Sequence, residues 1–157
     1  MQTEWEVYHA LIGFLQGRGW RILCASPPGG TDSRYQKCIF PRRTQFEKGP
    51  RDEVDLIAYR SGVVILAECK VTLEDSLSVL NALGESDKAK LERIRDTLGS
   101  RTIAENLRQA TRFEVPAEVH VALSLAVARV DKDPPGGFVT IEFGKPVPLI
   151  HGMHGIV

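Results

Sequence analysis

Apolar residues near the start of the chain recur at helical spacing. Trp5, Tyr8, Leu11, Ile12 and Leu15 fall on one side of a helix over residues 4–16. Thr3 suits the N-cap, Glu6 three positions on completes a capping box, and Gly17-Arg18-Gly19 ends the helix. The period then shortens. Trp20–Ala25 reads as a strand, Ser26–Asp32 as a Pro- and Gly-rich loop, and Cys38–Pro41 as a short strand before a basic loop over Thr44–Pro50. Val54–Arg60 and Val63–Lys70 are apolar strands flanking Ser61-Gly62, a turn dipeptide. Leu73–Gly84 keeps no clean period, though Leu77, Leu80 and Leu83 have helical spacing. Asp87–Leu98 predicts a helix with Leu91, Ile94 and Leu98 inward. Thr102 caps a further helix through Arg112, with Ile103, Leu107 and Ala110 on one side. Glu118–Val130 reads as a buried strand, Pro134–Gly137 as a turn, Phe138–Phe143 as a last strand and Pro146–Val157 as loop. This order predicts an α/β fold with a mixed central β-sheet flanked by helices on both sides.

The hairpin carries the candidate chemistry. If its loop is Ser61-Gly62, Arg60 faces Val63, and counting back along both strands sets Asp55 opposite Glu68. Cross-strand partners lie with Cβ atoms about 5 Å apart. Two carboxylates that close repel unless a cation stands with them. Lys70, two positions beyond Glu68, points to the same face. Hard oxygen ligands in this arrangement suit a divalent cation, Mg²⁺ or Mn²⁺. The ordinary alternative is a surface ion pair. Against it, only Lys70 among the seven lysines follows an acidic residue by two positions. Its strand is also apolar on both faces through Val63–Ala67, as in a buried strand, and burying charge is costly enough to mark a site. Asp52 and Glu53 crowd the same strand, where Glu53 would face Lys70.

At 157 residues, with 43% apolar and 25% charged content, the chain predicts one ordinary globular domain over 1–157. No apolar run approaches a membrane span, and Met1–Glu6 lacks the features of a signal peptide. Three cysteines, Cys24, Cys38 and Cys69, have no metal-finger spacing, which suggests free thiols in a reduced, cytoplasmic protein. Net charge is zero but unevenly spread. Residues 34–51 hold six Lys or Arg against one Glu, and residues 52–85 hold seven Asp or Glu against two Lys or Arg. Residues 86–112 are basic again. Carboxylates for a metal between cations for phosphates suit a metal-dependent phosphodiesterase. Arg42, Arg43, Lys48 and Arg51 are the candidate contacts to a nucleic-acid backbone. His151 and His154 lack a third ligand for a metal site. Gly29-Gly30 lacks the Lys-Ser/Thr of a phosphate loop.

With Val54-Asp55-Leu56-Ile57-Ala58, the short hairpin, Glu68-Cys69-Lys70-Val71-Thr72 and a helix before them, the chain resembles the PD-(D/E)XK nuclease superfamily. The hairpin is most similar to that of archaeal-type Holliday-junction resolvases. The resemblance covers residues 4–72; beyond them it is one of topology only. The proline of the family's name is not adjacent to Asp55, and Pro50 stands further upstream. The resemblance implies a restriction-endonuclease-like core and a Mg²⁺- or Mn²⁺-dependent endonuclease acting on DNA, in repair, recombination or restriction. RNA stays open as substrate; monomer and dimer also stay open, with junction or palindromic cutting, which needs two sites, calling for a homodimer. It implies Asp55, Glu68 and the Cys69 backbone carbonyl as metal ligands, with the Cys69 side chain on the opposite face. Lys70 would orient or activate the attacking water. Glu4, or in second place Glu6, would complete the site from the first helix. A non-catalytic nucleic-acid-binding or assembly module with the same fold is the alternative.

Overall fold

A computed structural model describes residue 1 and residues 3–41, 51–152 and 156–157, with the side chains of all of these but 41, 51, 97–102 and 110. In chain order the elements are α1 (Glu4–Gly17), β1 (Arg21–Ala25), β2 (Ile39–Pro41), β3 (Arg51–Glu53), β4 (Leu56–Arg60), β5 (Val63–Thr72), α2 (Leu73–Ser78), α3 (Asp87–Thr111), β6 (His120–Arg129), β7 (Phe138–Glu142) and β8 (Leu149–His151). Six strands form a mixed sheet in the order β1-β4-β5-β6-β7-β8, and β2 pairs with β3 apart from it. The β1–β4, β4–β5 and β7–β8 pairs are antiparallel; β5–β6 and β6–β7 are parallel.

Side-chain alternation along β5 sorts the core into two. Ile65, Ala67 and Cys69 join α1, while Val64 and Leu66 join α3. Helices therefore cover both faces of the sheet. The α1 face is rich in small residues (Ala58, Ala67, Ala122, Ala126 and Ala128), which lets the helix lie close with Val7, Tyr8, Leu11, Ile12 and Leu15 buried against it. Each fully buried Leu or Ile contributes about 1.5–3 kcal/mol. Trp5, read as part of that stripe, stays 39% exposed and meets His9 edge-on.

Several elements differ from the pattern reading. Residues 87–98 and 102–112, read as two helices, form the single helix α3, and Thr102 lies inside it rather than capping it. The buried pair Leu91 and Ile94 and the buried pair Ile103 and Leu107 fall on different sides of a helix that turns about 100° per residue. That phase shift imitates a break. The helix of Leu73–Gly84 stops at Ser78, leaving Leu80 61% and Leu83 49% exposed beyond it. The tail read as loop supplies β8, an edge strand on β7. Asp52 and Glu53 leave the hairpin for β3, held to β2 and by the Val54 N–H donating to the Cys38 carbonyl. Glu53 thus pairs with Lys37 at 3.7 Å instead of facing Lys70, and Asp52 accepts from both terminal guanidinium nitrogens of Arg93 at 2.9 Å.

Cys24 and Cys38 are joined in a disulfide with Cα atoms 5.2 Å apart, and Cys69 is the buried free thiol. An irregularity between Ile22 and Cys24 in the β1–β4 ladder sets Leu23 and Cys24 together on the α3 side, where Cys38 also lies. The pairing corrects the expectation of three free thiols and removes the argument for a reducing compartment. Among the described residues no helix is long and apolar enough to cross a membrane.

Candidate active site

The site is built on the hairpin. Ser61 and Gly62 have φ of 47° and 82°, the paired left-handed conformation of a two-residue type I′ turn. The register follows from Arg60↔Val63 to Leu56↔Ala67. Asp55 and Glu68 come next, just past the last ladder pair. Each carboxyl group shifts the titration of the other. Asp55 Oδ2 accepts the Cys69 N–H at 2.8 Å, and the Asp55 carbonyl accepts the Ser26 N–H at 2.9 Å. A strand residue projects its N–H and C=O to the same side, so the Cys69 carbonyl also points toward the Asp55 side. The Cys69 thiol lies in the α1-side core, where burial pushes its pKa well up.

The lysine of the motif is engaged elsewhere than its glutamate. Lys70 Nζ is 3.2 Å from Glu4 Oε1 and 3.7 Å from Asp87 Oδ2. Glu4, not Glu6, therefore reaches Lys70 from α1. Glu6 sits at the helix cap, its N–H donating to Thr3 Oγ1 at 3.1 Å and its carboxylate accepting the Thr3 hydroxyl at 3.1 Å. Glu68 is met by Lys90 of α3, whose Nζ lies 2.5 Å from Glu68 Oε1; these side chains are 15% and 5% exposed. The contact lacks hydrogen-bond alignment, and both Glu68 Oε1 and Asp87 Oδ2 are buried without a hydrogen bond.

Sequence reasoning did not assign Asp87 or Lys90 a role. Both stand in phase with the inward stripe of α3, Asp87 four residues before Leu91 and Lys90 four before Ile94. Charge on an apolar stripe is the signal that could have found them. Next along α3, Arg93 also bonds Glu85, with Nε 2.6 Å from Oε2, and so ties β3 and the loop before α3 to that helix. Arg42, Arg43 and Lys48 lie outside the described residues, as does the side chain of Arg51. His151 Nε2 approaches Glu142 Oε1 at 3.4 Å.

Four carboxylates and two ammonium groups thus gather where β5 runs on past the end of β4, still paired to β6, and α3 begins. Burial raises Asp55 from 3.8 to about 6, against the pull of hydrogen bonds. Burial first, then repulsion by Glu68, raises Asp87 from 3.8 to about 7. Glu68 is held well above the usual range by burial and by Asp55. Burial alone would lower Lys70, but Asp87 and Glu4 outweigh it and raise its pKa. Lys90 is raised in the same way, chiefly by Glu68. Among the described residues no three His, Cys, Asp or Glu side chains are set to hold a metal ion. The chain matches no family model, no curated protein and no solved structure.

Proposed function

We propose that the protein is a metal-dependent endonuclease that hydrolyses DNA phosphodiester bonds. The observation that carries this reading is half-buried Asp55 set beside buried Glu68, with Lys70 two positions beyond Glu68 where β5 outruns β4. A mixed sheet with an antiparallel hairpin leading into parallel strands, and α1 reaching the site through Glu4, supports a restriction-endonuclease-like core.

The donor set fits a divalent ion in its chemistry. Asp55, Glu68 and the Cys69 carbonyl would supply hard oxygen donors, and Glu68 Oε1 is buried without a hydrogen bond. Mg²⁺ or Mn²⁺ bound there would lower the pKa of a bound water and neutralise charge developing on the phosphate. Lys70 supplies an ammonium that steadies the phosphate and orients the attacking water. Glu4 positions that ammonium through its 3.2 Å contact. Residues 34–51 and 86–112, both basic, suit a polyanionic substrate, DNA in the first place and RNA in the second. Cutting both strands of a duplex or junction takes two sites, which a homodimer provides.

A second reading is a non-catalytic nucleic-acid-binding or assembly module of the same fold. Lys90 and Lys70 favour it, because they meet the buried carboxylates from within the chain. One experiment separates the two. Labelled single-stranded, duplex and junction DNA are incubated with the protein and Mg²⁺ or Mn²⁺. At least one form should be cut, and Lys70→Ala or Asp55→Asn should lower the rate roughly 10²-fold or more with the fold intact. A folded wild type that cuts nothing, yet binds DNA equally in EDTA and as Asp55→Asn, would establish the module instead.

A further inference from the structure

We infer that Lys90 is a built-in counter-cation of the site, and that its ammonium competes with a divalent ion for Glu68. The inference rests on the metal reading above and adds a control on that metal. Glu68 is 4% exposed, and its close cation is Lys90 of α3, at 2.5 Å, not the Lys70 of its own motif. Lys70 is held by Glu4 and Asp87. The two lysines therefore divide the labour: one belongs to the outer carboxylates, the other to the inner pair.

Lys90 stands near the N-terminal end of α3, where the helix dipole disfavours a cation. Nearby Lys88 reaches toward Glu92 at 2.9 Å with its side chain 35% exposed, the ordinary arrangement on a helix surface. Lys90 instead buries its stem and sets its charge on a carboxylate. The buried glutamate accounts for that placement: an ionised carboxylate at this depth requires a positive partner. A divalent ion bound by Glu68 would approach its oxygens at about 2.0–2.6 Å. An ammonium on Oε1 and a divalent ion on the same carboxylate repel at that range, more strongly for the low polarity around them. Metal entry must therefore displace Lys90, and the chain itself weakens its own metal affinity.

The test is Mn²⁺ binding, followed by titration calorimetry at fixed pH in wild type, Lys90→Met and Glu68→Gln, with folding checked by circular dichroism. Lys90→Met should bind Mn²⁺ at least about tenfold more tightly than wild type, and Glu68→Gln should bind more weakly than wild type. Lys90→Gln, which keeps a donor for Glu68, serves the same comparison if the methionine variant does not fold. Equal or weaker binding by the Lys90 variants refutes the competition and leaves the metal reading standing. Absence of Mn²⁺ binding at millimolar concentration in folded wild type and Lys90 variants alike refutes both.

Discussion

Replacing Asp87 by Asn should stabilise the metal-free protein at pH 8 and change it little at pH 4. The side chain lies in the first turn of α3 and is 14% exposed. Burial, then Glu68, lifts its carboxyl from 3.8 to about 7, with Lys70 and Lys90 opposing. At 1.36 kcal/mol per pH unit, that displacement sets a ceiling of ~4 kcal/mol on the cost of ionising it in the fold. Residual solvent contact reduces this, and the helix dipole, which favours an anion here, returns about 0.3–1 kcal/mol that Asn forgoes. A net gain of ~2 kcal/mol at pH 8 remains, because burial outweighs the dipole. The folded value exceeds the unfolded one, so the native state holds more protons between 3.8 and about 7. Stability therefore falls as pH rises through that window and levels off above it. Asp55, raised from 3.8 to about 6, adds a term of the same sign. Glu4, 3.2 Å from Lys70 Nζ, is still there to pair with Lys70 when Asp87 is replaced. Urea midpoints at pH 4.5, 6 and 8 in EDTA provide the assay, with the gap between variant and wild type opening as pH rises. A variant less stable than wild type at pH 8, or a gap that stays constant, would refute this account of the buried carboxylates.

Two further outcomes test the scaffold. A Cβ on Gly144 would lie 2.4 Å from the Ala128 carbonyl oxygen, which the Gly144 N–H already bonds at 2.8 Å. Gly144→Ala should therefore cost about 1–3 kcal/mol in chemical denaturation, and an unchanged midpoint would contradict the β6–β7 packing. Opening the Cys24–Cys38 link, whose residues are 14 positions apart, should cost ~3 kcal/mol by loop entropy. Dithiothreitol should accordingly lower the melting temperature of wild type but not of the double serine variant, and three titratable thiols in the unfolded, unreduced protein would show the link to be absent.

The hairpin was legible because its determinants are local. A turn dipeptide and two apolar runs suffice to set the register, and the register sets Asp55 beside Glu68. Helices on both faces were legible for a similar reason, since strands apolar on both sides demand two covers. What escaped depends on contacts distant in sequence. The phase shift within α3 reads as a break until the sheet beneath explains both halves. Residues 149–151 carry no strand pattern of their own and are ordered by β7. Cys24 and Cys38 meet only because a ladder irregularity turns one of them toward the other. Lys90 looks like one more surface lysine in a charged helix; only the fold sets it against Glu68.

The two-residue turn makes the site a matter of chain length as much as of side chains. Paired residues of this ladder have numbers that add to a fixed total, and one residue inserted at Ser61-Gly62 without a compensating bulge shifts that total by one. Glu68 would then sit opposite a neighbour of Asp55 that points through the other face of the sheet. Every site residue would remain in the sequence, yet the pair would be gone. Two inserted residues restore the facing pair. With the two-residue turn kept, length changes in steps of two preserve the facing pair, and an odd change that the loop does not absorb separates it although no site residue is altered.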